Sequence, residues 1–337
     1  MLAKLPGRVT GLRSGADRLI AEYRAQLRSR TYRTTSLNPH PAPEVVPVVT
    51  PDGARLRVHA YGPEQSDVIV LIHGWSCCIE YWNPQINELS GEYRVVAYDQ
   101  RGHGESEIGT RSFGADQLAD DLSAVLDTVL RPGQRAVLVG HSMGGMTIQA
   151  WAQHYPEQVA RQASAALLAT TAAGRIPGRA KIVPLLGDLV PTPAWLARTA
   201  FGAPVPIPGL AATRALFAAR IMTRDCGADQ VDFSMSIVRS CRPAARGAVA
   251  RHLATVDLGS AAACLTVPTS VIAGEHDKLL PPVHSLEIAD LVAETGNLDR
   301  VAILPTGHLV NIEAPAEFNA EIRRLADVAR HHGTVAS

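Results

Sequence analysis

Cysteine is scarce in this chain and falls in no useful pattern: five residues, an odd number, none at metal-ligand spacing. That excludes a disulfide framework and leaves no sign of a structural metal site, so a reducing, cytoplasmic interior is the default expectation. Adjacent Cys77 and Cys78 read as small buried residues rather than ligands. Long uncharged apolar runs are missing too. None reaches the ~18 residues that a membrane span needs. The nearest, 199–213, is interrupted by prolines. Net charge is also absent, with 32 basic against 32 acidic side chains, which gives no reason to expect nucleic acid as a partner.

What is present is a globular composition, 46% hydrophobic and 19% charged, in which wholesale disorder is not expected. The length of 337 residues suits one large α/β domain or a core with a sizeable insertion. The balanced charge hides an asymmetry. Residues 1–40 hold eight Lys/Arg against Asp17 and Glu22, a net of +6, which leaves −6 for the remainder. Leu12, Leu19, Tyr23 and Leu27 recur there at helical spacing. A basic amphipathic helix over this 1–43 arm is expected either to dock on its own domain or to make peripheral contact with a membrane. Charges interrupt every apolar stretch in it, so it does not read as a secretory signal.

From residue 44 the pattern alternates. Short β-rich runs at 45–49, 55–60, 68–72, 94–98, 135–139, 164–169, 269–273 and 300–304 are separated by helical stretches near 84–90, 115–130, 144–155, 282–293 and 315–329. Continuous runs such as "VIVLI" are those of strands buried on both faces of a parallel sheet. The first two runs meet at "TPDGARL", whose Asp52-Gly53 dipeptide predicts an antiparallel hairpin. The alternation stops between 171 and 255, a helical, proline-punctuated stretch. It is expected to be a helical lid inserted between core segments 44–170 and 256–337.

One stretch carries the chemistry. "RAVLVGHSMGG" ends an apolar strand in a serine set among glycines and opens a helical pattern, "MTIQAWAQHY". Gly-x-Ser-x-Gly between a strand and a helix is a nucleophile elbow: small neighbours let Ser142 stand exposed on a sharp turn. A serine hydroxyl is a weak nucleophile until a base takes its proton. His308, in "LPTGHLVNIEAP" after the last strand, is the candidate base. Asp277, in "GEHDKLLPP" after the preceding strand, is the candidate acid, with Glu275 as competitor.

The order Ser142, Asp277, His308 resembles that of the α/β-hydrolase fold family over roughly residues 44 to 330. "LIHGW" at 71–75 looks like its oxyanion loop and "YDQRGHGES" at 98–106 like the turn after its next strand. The resemblance implies a mostly parallel, eight-stranded α/β sheet flanked by helices, with the helical lid inserted before the acid-bearing strand. It implies a Ser-His-Asp acyl-enzyme mechanism with the backbone N–H groups of Trp75 and Met143 as oxyanion hole, a small-molecule ester as partner, and neither metal nor cofactor. Branches with an aspartate nucleophile are disfavoured, since Ser142 stands at that position. His73 and His103 read as structural, and His276 as pointing away from the acid. His141, and Trp195 and Phe233 from the lid, are candidate substrate contacts, alongside lid residues Phe201, Leu210, Phe217, Met222 and Met235. An apolar acyl or alkyl group is the expected substrate portion. Cofactor-free perhydrolysis of the haloperoxidase kind, carbon–carbon bond hydrolysis, acyl transfer to an alcohol and ligand binding without turnover are the alternatives that the same residues leave open.

Overall fold

The computed structural model describes residues 7–40, 43–174, 176 and 205–335. Eight strands form one sheet: β1 (Glu44–Val49), β2 (Arg55–Tyr61), β3 (Val68–Ile72), β4 (Arg94–Tyr98), β5 (Ala136–His141), β6 (Ala163–Ala169), β7 (Thr269–Gly274) and β8 (Leu298–Leu304). Their spatial order is β1-β2-β4-β3-β5-β6-β7-β8. β1 and β2 form the expected hairpin, with Gly53 at φ +85° in its turn. β2 also runs antiparallel to β4, and all other pairings are parallel. Every residue of β3, β5 and β7 is buried. That is why β3 and the first four residues of β5 read as unbroken apolar runs.

Because side chains alternate across a strand, each central strand feeds two cores. Val70 and Ile72 pack on one face with Leu122, Leu126 and Trp151; Ile69 and Leu71 pack on the other with Trp82, Ile86, Phe318 and Ile322. The covering helices in chain order begin with α1 (Gly7–Ser29), α2 (Asn83–Leu89), α3 (Ala115–Val129), α4 (Met143–His154) and α5 (Pro156–Gln162). Between β6 and β7 come α6 (Ala211–Ile221), α7 (Ala228–Ser240) and α8 (Pro243–Leu253). α9 (Val283–Glu294), α10 (Val310–Glu313) and α11 (Pro315–Val335) complete the series. α5 has no counterpart in the periodicity. Two short turns that start at a proline carry too little pattern.

The basic arm is helical and lies against α7. Ile20 and Leu27 are buried, and Tyr32, just beyond the helix, meets Phe233 edge-on at 5.5 Å. Its cations are engaged as well. Arg30 pairs with Asp232 at 2.8 Å, Arg28 with Glu80 at 2.8 Å, Arg24 donates to the Ser240 carbonyl, and Tyr23 stacks under Arg239 at 4.1 Å. Much of the stripe that a membrane would receive is therefore occupied by the chain's own domain. No described helix is long and apolar enough to cross a membrane.

Candidate active site

β5 ends at His141 and α4 begins at Met143, so Ser142 alone makes the turn, at φ 54° and ψ −118°. A non-glycine residue there is strained and must be held by its surroundings. Its N–H donates to the Ala169 carbonyl at 2.9 Å, and its carbonyl accepts from Thr171 Oγ1 at 2.6 Å and from the Gly145 N–H at 3.0 Å. The glycines allow the approach. A Cβ on Gly144 would run into the Ile72 carbonyl, and one on Gly140 would meet Gly144 and Gly145 backbone at 2.6 Å.

The loops after β7 and β8 bring the other two groups to the serine. His308 Nε2 lies 3.0 Å from Ser142 Oγ, and His308 Nδ1 lies 2.7 Å from Asp277 Oδ2. The carboxylate accepts from Nδ1–H, which leaves the Nε2 lone pair facing the serine O–H, the tautomer that a general base requires. Asp277 Oδ1 accepts the N–H groups of Leu279 and Leu280 at 2.8 Å each, which fixes the carboxylate. Glu275 and His276 are exposed. The structure thus brings Asp277, not its competitor, to His308.

Met143 is the first residue of α4, and an N–H there has no acceptor within the helix. The Trp75 segment is a tight turn, with Cys77 N–H donating to the Gly74 carbonyl at 3.2 Å and Ser76 at φ 64°. The Trp75 indole donates to the Arg246 carbonyl at 3.0 Å, tying this turn to α8. Behind it, His73 Nδ1 donates to the Gly74 carbonyl at 2.8 Å and Nε2 accepts the Gln100 N–H at 3.0 Å. Gln100 also donates to the His73 carbonyl and accepts from Thr147 on α4 at 2.8 Å, so one glutamine joins the loop to the elbow helix. Complete burial pushes the pKa of His73 down to about 4 and that of His103 to about 3. Both are neutral framework groups.

A cavity of about 530 Å³ opens on Ser142 and His308. Leu216 and Phe217 of α6, Met235 and Val238 of α7, and the segment Val205 to Pro208 contribute to its wall, with Trp75 and His141. Phe233 is not there. It is fully buried against Tyr32 of the arm. Residues 233 and 235 are about 200° apart around a helix of 3.6 residues per turn. The residue expected to touch substrate therefore faces the arm, and Met235 faces the cavity. Trp195 and Phe201 lie outside the described residues.

Two site residues carried no role in the sequence reading. Gln100 sat inside a quoted motif with nothing to mark it. Glu313 stood in "GHLVNIEAP", where its distance of five positions from His308 was the available signal; its carboxylate accepts the N–H groups of Gly307 and Leu309.

With this geometry in place, comparison with known proteins fixes the class. Residues 69–321 match the model of the alpha/beta hydrolase family, and the chain belongs to that family. Among curated proteins it is similar to 3-oxoadipate enol-lactonase 2 of Acinetobacter baylyi, 27% identical over 82% of this chain and 95% of that protein. It is also similar to the bifunctional esterase/perhydrolase DCH of Acinetobacter calcoaceticus, 37% identical over 32% of this chain and 39% of that protein. Among solved structures, a thermophilic esterase from Thermogutta terrifontis superposes with a TM-score of 0.68 at 24% identity, covering 85% of this chain and 99% of that one.

Proposed function

We propose that the protein is a serine hydrolase that cleaves carboxylic esters with apolar acyl or alkyl portions through an acyl-enzyme. The observation that carries this reading is the continuous contact Ser142 Oγ, His308 Nε2, His308 Nδ1, Asp277 Oδ2 at the edge of an apolar cavity. The names of an enol-lactonase and an esterase among the relatives agree with it, a lactone being a cyclic ester.

In the proposed cycle, His308 Nε2 takes the Ser142 proton as Oγ bonds to the ester carbonyl carbon. The oxyanion that forms is received by the N–H groups of Met143 and Trp75, where preorganised donors act most strongly. Asp277 supports the imidazolium. His308 returns the proton to the leaving alcohol oxygen as the C–O bond breaks. Water then adds to the acyl-enzyme, giving its proton to His308, and collapse releases the acid and restores Ser142. In the same reading the described part of the expected lid, 205–255, covers the cavity and selects the substrate, and α1 braces that cover from outside; residues 177–204 of the expected lid lie outside the described residues.

A fluorophosphonate probe followed by peptide mapping tests the assignment. Label is expected on Ser142, and Ser142→Ala should lower ester turnover by ~10⁶-fold, the scale seen when such a serine is removed. Label on another serine overturns it.

A further inference from the structure

α6 is built inside out. A helix on a protein surface ordinarily turns its charged residues to water and its apolar ones to the core. Here the exposed residues are Ala211, Ala212, Ala215, Leu216 and Ala219, none of them polar, while Thr213, Arg214 and Arg220 are half-buried. Arg214 is turned to Asp232 of α7, and Thr213 and Arg220 line the cavity. No residue of α6 is buried. The exposed strip continues into the segment before the helix, where Leu210 is 63% exposed and Val205 58%, against 47% for Leu216. Apolar surface gathered in this way, rather than scattered singly, marks a binding face.

Two observations say what it meets. The first is charge. Over 171–225 the sequence carries seven Lys/Arg against Asp188 and Asp225, in a chain with no net charge. Among the described residues, Arg224 is exposed just past the helix, and Lys278 Nζ donates to the Ala219 carbonyl in its last turn at 3.3 Å. A second copy seated on the strip would bring these cations together, whereas an anionic surface complements them. The second is the cavity. Val205 and Leu216 belong to its wall as well as to the strip. A folded partner seated there would press on that wall, and the strip offers none of the exposed aromatic anchors that protein interfaces use. A short apolar strip with cations at its margins is what an interfacial helix presents to lipid.

We propose that the exposed face of α6 rests on anionic lipid surfaces, and that the cavity takes its apolar ester from them. The contact rests on the surface alone; the delivery rests on the ester-hydrolase reading above.

The test is sedimentation with phosphatidylcholine vesicles, with and without phosphatidylglycerol. Wild type is expected to partition about tenfold or more strongly onto the anionic vesicles, and less as salt rises. The double variant Ala212→Glu/Ala215→Glu keeps good helix formers near a helix N-terminus, where acidic side chains are favoured. Both positions lie outside the cavity wall. Its partitioning should fall by about tenfold or more, with the melting temperature and kcat/KM for p-nitrophenyl acetate unchanged. Turnover of p-nitrophenyl palmitate carried in the anionic vesicles should fall in proportion. Arg224→Glu, which leaves the strip intact, should lower anionic partitioning several-fold. No binding by wild type, or equal binding by wild type and both variants, overturns the contact. A dimer in sedimentation velocity that the double variant dissociates assigns the strip to a second copy and overturns it too. Vesicle binding through α6 with equal palmitate turnover by wild type and double variant overturns the delivery alone. Absence of turnover of every ester by wild type overturns the ester reading and leaves the contact standing.

Discussion

Glu313 brackets His308 without touching its ring. Oε2 accepts the N–H of Gly307 at 2.9 Å, Oε1 accepts that of Leu309 at 3.1 Å, and the N–H of His308 itself donates to the Ile221 carbonyl at 2.7 Å. Oε2 also accepts from the N–H and hydroxyl of Thr223, at 2.9 and 3.0 Å. One carboxylate thus joins the histidine loop to the segment after α6. Glu313→Gln replaces an acceptor by an amide NH2 that faces N–H donors, and should let the loop shift. Displacement by about 1 Å from attack geometry costs on the order of 10²-fold. The expected result is a kcat lower by one to two orders of magnitude with KM within a few-fold, and equally slowed fluorophosphonate labelling of Ser142. Steady-state kinetics with a thermal melt on the same preparation check it; a KM effect alone would count against a positioning role.

Asp277 and Glu275 are two positions apart, and only Asp277 reaches His308. Asp277→Asn should lower turnover by ~10⁴-fold, by favouring the wrong imidazole tautomer. Glu275→Gln, at an exposed position, should leave it within about twofold. Parallel kinetics of the two variants decide between them.

The cavity-facing side chains of α6 and α7 and the arm-facing side of α7 predict separable effects. Phe217→Ala and Met235→Ala should depress kcat/KM for long-chain esters more than for acetates, since each removes up to ~1.5–3 kcal/mol of apolar burial from whatever chain it contacts. Phe233→Ala should instead cost ~3–5 kcal/mol of stability, as core truncations of this size do, with the chain-length profile of the folded protein unchanged. Chain-length series and denaturant melts on all three variants are the measurements.

The buried histidines set a pH dependence of stability. His73, with a folded pKa near 4, faces His103 at 5.4 Å, with Glu80 and Arg57 farther off; His103, near 3, also feels Asp99. Unfolded, each titrates near 6.5. Between about pH 6.5 and 4 the unfolded chain therefore binds protons that the folded one refuses, and stability falls as pH falls. For His73 alone the span corresponds to about 3 kcal/mol at 1.36 kcal/mol per unit. The urea midpoint should drop between pH 7 and pH 4.5, ahead of most carboxylate titration. A flat midpoint over that interval would exclude it.

The central strands β3 and β5 were legible to within two residues because burial on both sides writes an uninterrupted apolar run. The elbow was legible because its strain admits few residue types: Gly140 and Gly144 are dictated by backbone contacts. Phe233 was misplaced because an inventory of aromatic residues has no phase; its half-turn offset from Met235 was in the sequence but unused. The partnership of Arg57 with Glu80 and Asp99, 23 and 42 positions away, left no local mark. The docking partner of the arm was hidden for the same reason, since a basic stripe looks alike whether it meets a membrane or its own domain.

The separation of Arg30 from Asp232 is 202 positions, and that of Arg24 from Ser240 is 216. At roughly 5–20 residues per second, a ribosome needs on the order of 10–40 s to synthesise the chain between these partners. For that time α1 exists without the helix that covers it, its Ile20 and Leu27 open to chaperones or to other nascent chains. α1 is thus made well before it can be seated, and its seating waits on the helix whose opposite face carries Met235 into the cavity. Completion of the cavity is in this way coupled to a helix made about 200 positions earlier.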